Sequence, residues 1–109
     1  MSDTLEKLQK LLEQRKGSIE DNSYVASLYK KGIDAILKKV GEETSEVIIA
    51  AKNTDQKEEK QELIYEMADL WFHSMVLLCQ QGTSYQAVLS ELERRFGTSG
   101  IEEKNTRIK

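Results

Sequence analysis

The sequence predicts an all-α fold, a helical bundle of four to five helices in one domain. Three observations predict it. There is no proline and only six glycines in 109 residues. Strong helix formers (Glu, Lys, Leu, Ala and Gln) dominate the rest. Apolar residues also recur at helical spacing between short polar turns. The length suits a single modest core. With 19 acidic against 16 basic residues and a net charge of −3, no basic field advertises nucleic acid, and none is expected as a partner. No apolar run approaches membrane-spanning length, and the opening MSDTLEK carries no apolar signal region. The single cysteine, Cys79, excludes an intramolecular disulfide and fits a reducing compartment. The expectation is a soluble cytoplasmic protein.

The first helix is expected to start near Asp3, where Asp3-x-x-Glu6 reads as a capping-box variant, and to carry the stripe Leu5, Leu8, Leu11, Leu12 up to Gly17. GSIEDNS reads as a loop, with Ser23 as the cap of YVASLYKKG. Gly32 should break the chain before a long helix over 33–52. After the polar turn NTDQKEEK, a second long helix is expected over roughly 57–81, ended by Gly82. Thr83 with Gln86 then reads as a capping box for SYQAVLSELERRF. These elements make residues 1–97 the domain and 98–109 a C-terminal tail.

Projection at about 100° per residue places Ile33, Ile36, Leu37, Val40, Thr44, Val47 and Ala51 on one side of the first long helix. Glu42, Glu43 and Glu46 fan out away from it. On the second, Ile64, Met67, Ala68, Trp71, Phe72, Met75, Leu78 and Cys79 cover more than half the circumference, and Leu63, Leu70 and Leu77 much of the rest. A helix so apolar belongs inside a bundle. Glu66, Asp69 and His73 share the remaining sector, with Glu62 one turn nearer the polar loop. Desolvated acids without partners cost several kcal/mol or become protonated, so Glu66 and Asp69 call for cations.

Glu43-x-x-Glu46 and Glu66-x-x-Asp69 each set two acids one turn apart on one face. A short turn makes the two helices antiparallel neighbours, and Glu46 and Glu66 lie the same few turns from it. The pairs can therefore meet across a seam, and four oxygen donors plus water fit Mg²⁺ or Mn²⁺. The competing reading, a solvated face laced with ion pairs to Lys38, Lys39 and Lys52, is common for acidic helices. The joint geometry of the two pairs favours metal.

Glu42-Glu43-x-x-Glu46 followed by Glu66-x-x-Asp69 resembles the EExxE…ExxD signature of the all-α NTP pyrophosphatases, the MazG-like superfamily. The flanking ILKKVGEE, ADLWFH and SGIEEK resemble, within it, the phosphoribosyl-ATP pyrophosphohydrolase family. The likeness runs from the first helix into the tail, with no departure at the acidic positions. It implies hydrolysis of phosphoribosyl-ATP to phosphoribosyl-AMP and pyrophosphate, the second step of histidine biosynthesis. Mg²⁺ dependence and a homodimer are implied too. A dimer agrees with the residue-level reading, since one short chain has little helix left to cover the all-apolar one, and a core completed by homodimerisation solves that.

Carried over by position, Glu43, Glu46, Glu66 and Asp69 are the expected metal ligands. Glu42 and Glu43 are the candidates for catalysis, although Glu42 could equally join the metal shell or pair with a lysine. Lys38 and Lys39, about one turn before the acids, are candidate substrate-phosphate contacts. His73 reads as a hydrogen-bonded core residue supporting Asp69, and Trp71, Phe72 and Cys79 read as core. Arg94, Arg95, Lys104 and Arg107 could meet phosphates if the tail covers the site. Three rival readings compete. A house-cleaning (d)NTP pyrophosphatase shares the signature and differs in substrate. A di-iron bundle needs Glu-x-x-His, but Leu70 stands where that Glu would be. A non-enzymatic dimerisation module would leave the acids solvated.

Overall fold

Five helices follow one another in the computed structural model: α1 (Thr4–Lys16), α2 (Tyr24–Lys31), α3 (Ile33–Lys52), α4 (Glu59–Gln80) and α5 (Tyr85–Arg95). The structure describes residues 3–17, 23–53 and 59–96, and no strand occurs among them. The expected tail, including SGIEEK, Lys104 and Arg107, lies outside the described residues, as do Lys57 and Glu58. Among the described residues no helix is long and apolar enough to cross a membrane.

Local chemistry sets the breaks. Ser23 adopts an extended conformation and its hydroxyl accepts from the Ala26 N–H at 3.1 Å, capping α2 as expected. Gly32, at φ 95°, turns the chain between α2 and α3. Gly82, at φ 80°, closes α4 in a Schellman motif: its N–H reaches the Cys79 carbonyl and the Thr83 N–H reaches that of Leu78. Thr83 is thereby committed to the end of α4. Ser84 takes the N-cap position of α5 without a side-chain cap, so the expected Thr83 box does not form. The Asp3 box does not form either; Asp3 makes no capping hydrogen bond and sits 3.5 Å from the Lys7 ammonium.

Helices α3 and α4 form the main packing interface; α1 lies against α4 and α2, and α2 also against α3. Leu12, Val25, Leu28, Ile36, Met75, Val76 and Cys79 make the core. Leu12, Ile36 and Val76 are fully enclosed, each stabilising the fold by about 1.5–3 kcal/mol. Cys79 is core as expected, its sulfur accepting from Gln9 Nε2 at 3.3 Å.

Two faces differ from the expectation. The inward line of α3 is Ile36, Glu43 and Ala50, one residue every two turns. Leu37, Thr44 and Ala51, expected on the apolar side, are exposed. On α4 the expected core residues Ile64 and Trp71 are each 59% exposed, while Glu66 and His73 are buried. The acids lie inside because α3 packs on that side of α4, whereas the described residues leave Ile64, Tyr65 and Trp71 on the other largely open. Helix α5 has no buried residue and leaves Val88, Leu89, Leu92 and Phe96 open. The radius of gyration, 16.5 Å, exceeds the ~13 Å of a compact chain of about this length.

Candidate metal centre

The antiparallel packing of α3 on α4 brings Glu43 opposite His73 and Glu46 opposite Glu66. One carboxylate oxygen from each of Glu43, Glu46 and Glu66 can be chosen so that all three lie within 4.8 Å of one another. Glu43 and Glu66 are buried and Glu46 is exposed at the mouth. Three like charges at this spacing repel strongly in a partly desolvated seam. Burial, and then the Glu46 carboxyl one turn along α3, raise the Glu43 pKa. The same Glu46 carboxyl, aided by burial, pushes Glu66 up to about 7.

Glu43 divides its two oxygens. Oε1 lies 3.7 Å from the Lys39 ammonium and 3.8 Å from His73 Nδ1. Oε2 is buried without any hydrogen-bond partner. A buried acceptor left unpaired costs about 1–3 kcal/mol, more if charged. A hard divalent cation would offset that cost and the mutual repulsion of the three acids. The donor set is all oxygen, so the residues present fit Mg²⁺ or Mn²⁺ and not a soft zinc site.

Asp69, the fourth expected ligand, is half-buried and outside the close group of three, yet its charge contributes to the raised pKa of both Glu43 and Glu66. Glu42 is turned toward solvent and paired with Lys39 at 3.4 Å. Lys39 thus bridges Glu42 and Glu43 at the rim, while Lys38 is exposed. Arg94 and Arg95 are engaged by Glu91 at 2.7–3.0 Å on α5, which holds the Glu91 pKa down to about 2.

A cavity of about 340 Å³ continues from the acids, lined by Glu46, Ile49, Ala50, Asn53, Glu62 and Glu66. Ile49 and Ala50 had shown a signal in projection, since they fall beside Glu42 and Glu43 and make that side too apolar for a solvent face. Asn53 gave none. Tyr24 was missed altogether: its hydroxyl lies 2.8 Å from His73 Nε2, reaching the site from a different helix. A contact 49 residues away in sequence leaves no periodic trace.

The model of the phosphoribosyl-ATP pyrophosphohydrolase family matches residues 5–96, which include α1 from its second residue, all of α2 to α5 and every acid of the seam. The chain belongs to this family of hydrolases.

Proposed function

We propose that the protein hydrolyses phosphoribosyl-ATP between its α- and β-phosphates, giving phosphoribosyl-AMP and pyrophosphate, in a Mg²⁺-dependent reaction that forms the second step of histidine biosynthesis. The observation that carries the metal-dependent part is the Glu43–Glu46–Glu66 group with its unpartnered, buried Glu43 Oε2. Bound there, Mg²⁺ would supply charge neutralisation on the triphosphate and acidify water at the site.

The remaining work falls to the chain. Glu43, Glu46 and Glu66 hold the ion, with Asp69 completing the acid wall from the next turn of α4. Glu42 faces solvent beside Lys39 and is placed to take a proton from water, whereas the buried carboxylate of Glu43 is committed to the cation. Lys39 exchanges part of its pairing with Glu42 and Glu43 for substrate phosphate, and Lys38 adds positive charge from outside the seam. The α3–α4 cavity receives the nucleoside side of the substrate, because its described lining combines acids, an amide and apolar surface.

A homodimer is part of this reading. It is supported by the open apolar side of α4, where Leu5, Trp71, Met75, Leu78, Val88 and Leu89 line a second cavity of about 270 Å³. A cytoplasmic setting accords with a biosynthetic hydrolase.

The test is pyrophosphate release from phosphoribosyl-ATP, with Mg²⁺ or with EDTA, beside ATP, dUTP and dCTP. Fast Mg²⁺-dependent release from phosphoribosyl-ATP alone supports the proposal. Release from the other nucleotides instead would move the chain to house-cleaning chemistry, and release that survives EDTA would remove the metal.

A further inference from the structure

The only histidine of the chain is fixed at both ring nitrogens. His73 Nδ1 lies 2.9 Å from the main-chain carbonyl of Asp69, one turn back on α4. A carbonyl oxygen only accepts, so Nδ1 carries the proton. In the neutral ring Nε2 is then an acceptor, and the Tyr24 hydroxyl, 2.8 Å away, donates to it. Ring contacts hold the same arrangement: Tyr24 and Phe72 both meet the imidazole edge-on, at centroid distances of 5.7 and 5.2 Å. Tyr24 is itself placed by the start of α2. Its neighbour Ser23 caps the helix, and Ser27 Oγ donates to the Tyr24 carbonyl at 2.7 Å.

We propose that Tyr24 and His73 act as a positioning pair for Glu43. The Asp69 carbonyl fixes His73 as the Nδ1–H tautomer, Tyr24 O–H holds the ring in place through Nε2, and the Nδ1–H dipole, 3.8 Å from Glu43 Oε1, keeps that oxygen turned toward the ring so that Oε2 is presented to the cation. The separation is too long for a hydrogen bond, so the interaction is a dipole facing a carboxylate in a dry seam. Two further consequences follow. With both nitrogens occupied, His73 has no free lone pair and is not a general base toward water. Helix α2, which offers no acid to the seam among its described residues, nonetheless contributes through Tyr24.

This inference rests on the metal-holding reading of the same acids, and its test separates the two. Because the histidine is unique, a long-range ¹H–¹⁵N spectrum of the metal-free protein near pH 8 reports its tautomer without ambiguity. The Nδ1–H form is expected in the wild type. Tyr24→Phe, which keeps the ring and removes only the hydroxyl, should keep that tautomer, held by the Asp69 carbonyl, while freeing Nε2 and loosening the ring. Mn²⁺ titration followed by electron paramagnetic resonance should then show binding about 5- to 10-fold weaker in Tyr24→Phe, the scale of one lost hydrogen bond. His73→Leu should weaken it further, and His73→Asn should recover part of the loss, since its amide N–H₂ stands near the place of Nδ1–H. A merely structural role would lower Tm in Tyr24→Phe and leave Mn²⁺ affinity at the wild-type value, which would overturn the proposal. An Nε2–H tautomer in the wild type would overturn it as well. No Mn²⁺ binding by the wild type would defeat the metal reading, and the positioning role with it, even if the spectrum showed the expected tautomer.

Discussion

Helix α4 carries two faces whose burial runs opposite to their hydropathy. On the side against α3, Glu66 and His73 are only 8% and 5% exposed; on the other, Ile64, Tyr65 and Trp71 are 59–63% exposed. Burial here follows the partner available, not the residue type. The acids are enclosed because α3 offers Glu43 and Glu46 to the same seam, and the low local dielectric that results makes a cation there far more effective than in water. Among the described residues, none encloses Ile64, Tyr65 or Trp71 on the apolar side. In the proposed reading an ion would occupy one face and a second protein surface would cover the other.

The largest expected effect comes from breaking the inner face. Glu46→Gln removes the carboxylate that crowds both Glu43 and Glu66. Its kcat should fall on the order of 10²–10³-fold, the scale of one lost electrostatic contact. Helix content by circular dichroism and Tm without metal should hold or rise, since repulsion is relieved. A folded Glu46→Gln enzyme with unchanged kcat would mean that the seam is only a solvated acid cluster. Next is Ile36→Ala, two turns before Glu43 on the inward line of α3. Ile36 is fully enclosed, and the cavity left should cost about 2–5 kcal/mol in urea unfolding.

The outer face is probed by Trp71→Arg. If a second copy covers that side of α4, the variant should sediment at about half the wild-type mass, with helical structure retained. Wild-type mass in the variant would show that Trp71 faces water in solution.

The pH dependence sharpens the comparison. Glu66 has its folded pKa raised from 4.5 to about 7. The protonated form is therefore favoured on folding: this contribution to stability is fully present below pH 4.5 and is lost as the pH rises toward about 7. Glu91, held down to about 2, has the opposite sign: its contribution is fully present above pH 4.5 and is lost as the pH falls toward about 2. The Tm gained on adding Mg²⁺ should accordingly be greater near pH 8 than near pH 5, where the cation must displace protons. An equal gain at both would contradict the crowding at Glu46. The smallest effect belongs to Ser23→Ala, which leaves the Ala26 N–H without its cap and should cost about 1 kcal/mol.

Much of this was legible from the residues. Helical periodicity and glycine placement gave the long helix over 33–52 with its observed ends, and the two spaced acid pairs led to a seam that contains Glu43, Glu46 and Glu66. The errors have a common origin. Projection of α3 followed its apolar residues, Val40, Thr44 and Val47 among them, whereas the true inward line runs through Glu43. Hydropathy likewise sent Trp71 into the core. In both cases the ranking of side chains was outweighed by the packing of α3 against the acid-bearing side of α4. The capping patterns at Asp3 and Thr83 failed for a local reason: Lys7 draws the Asp3 carboxylate, and the Schellman turn at Gly82 takes up Thr83. The Tyr24–His73 contact joins two helices through single side chains, which no local pattern encodes.

The most direct test of the metal-holding seam is anomalous diffraction at the manganese edge from crystals soaked in Mn²⁺. The account predicts a peak between Glu43, Glu46 and Glu66, with Glu43 Oε2 among the coordinating atoms and Asp69 beside it. A peak elsewhere, or none at the seam with Glu43 Oε2 still unpaired, would contradict it.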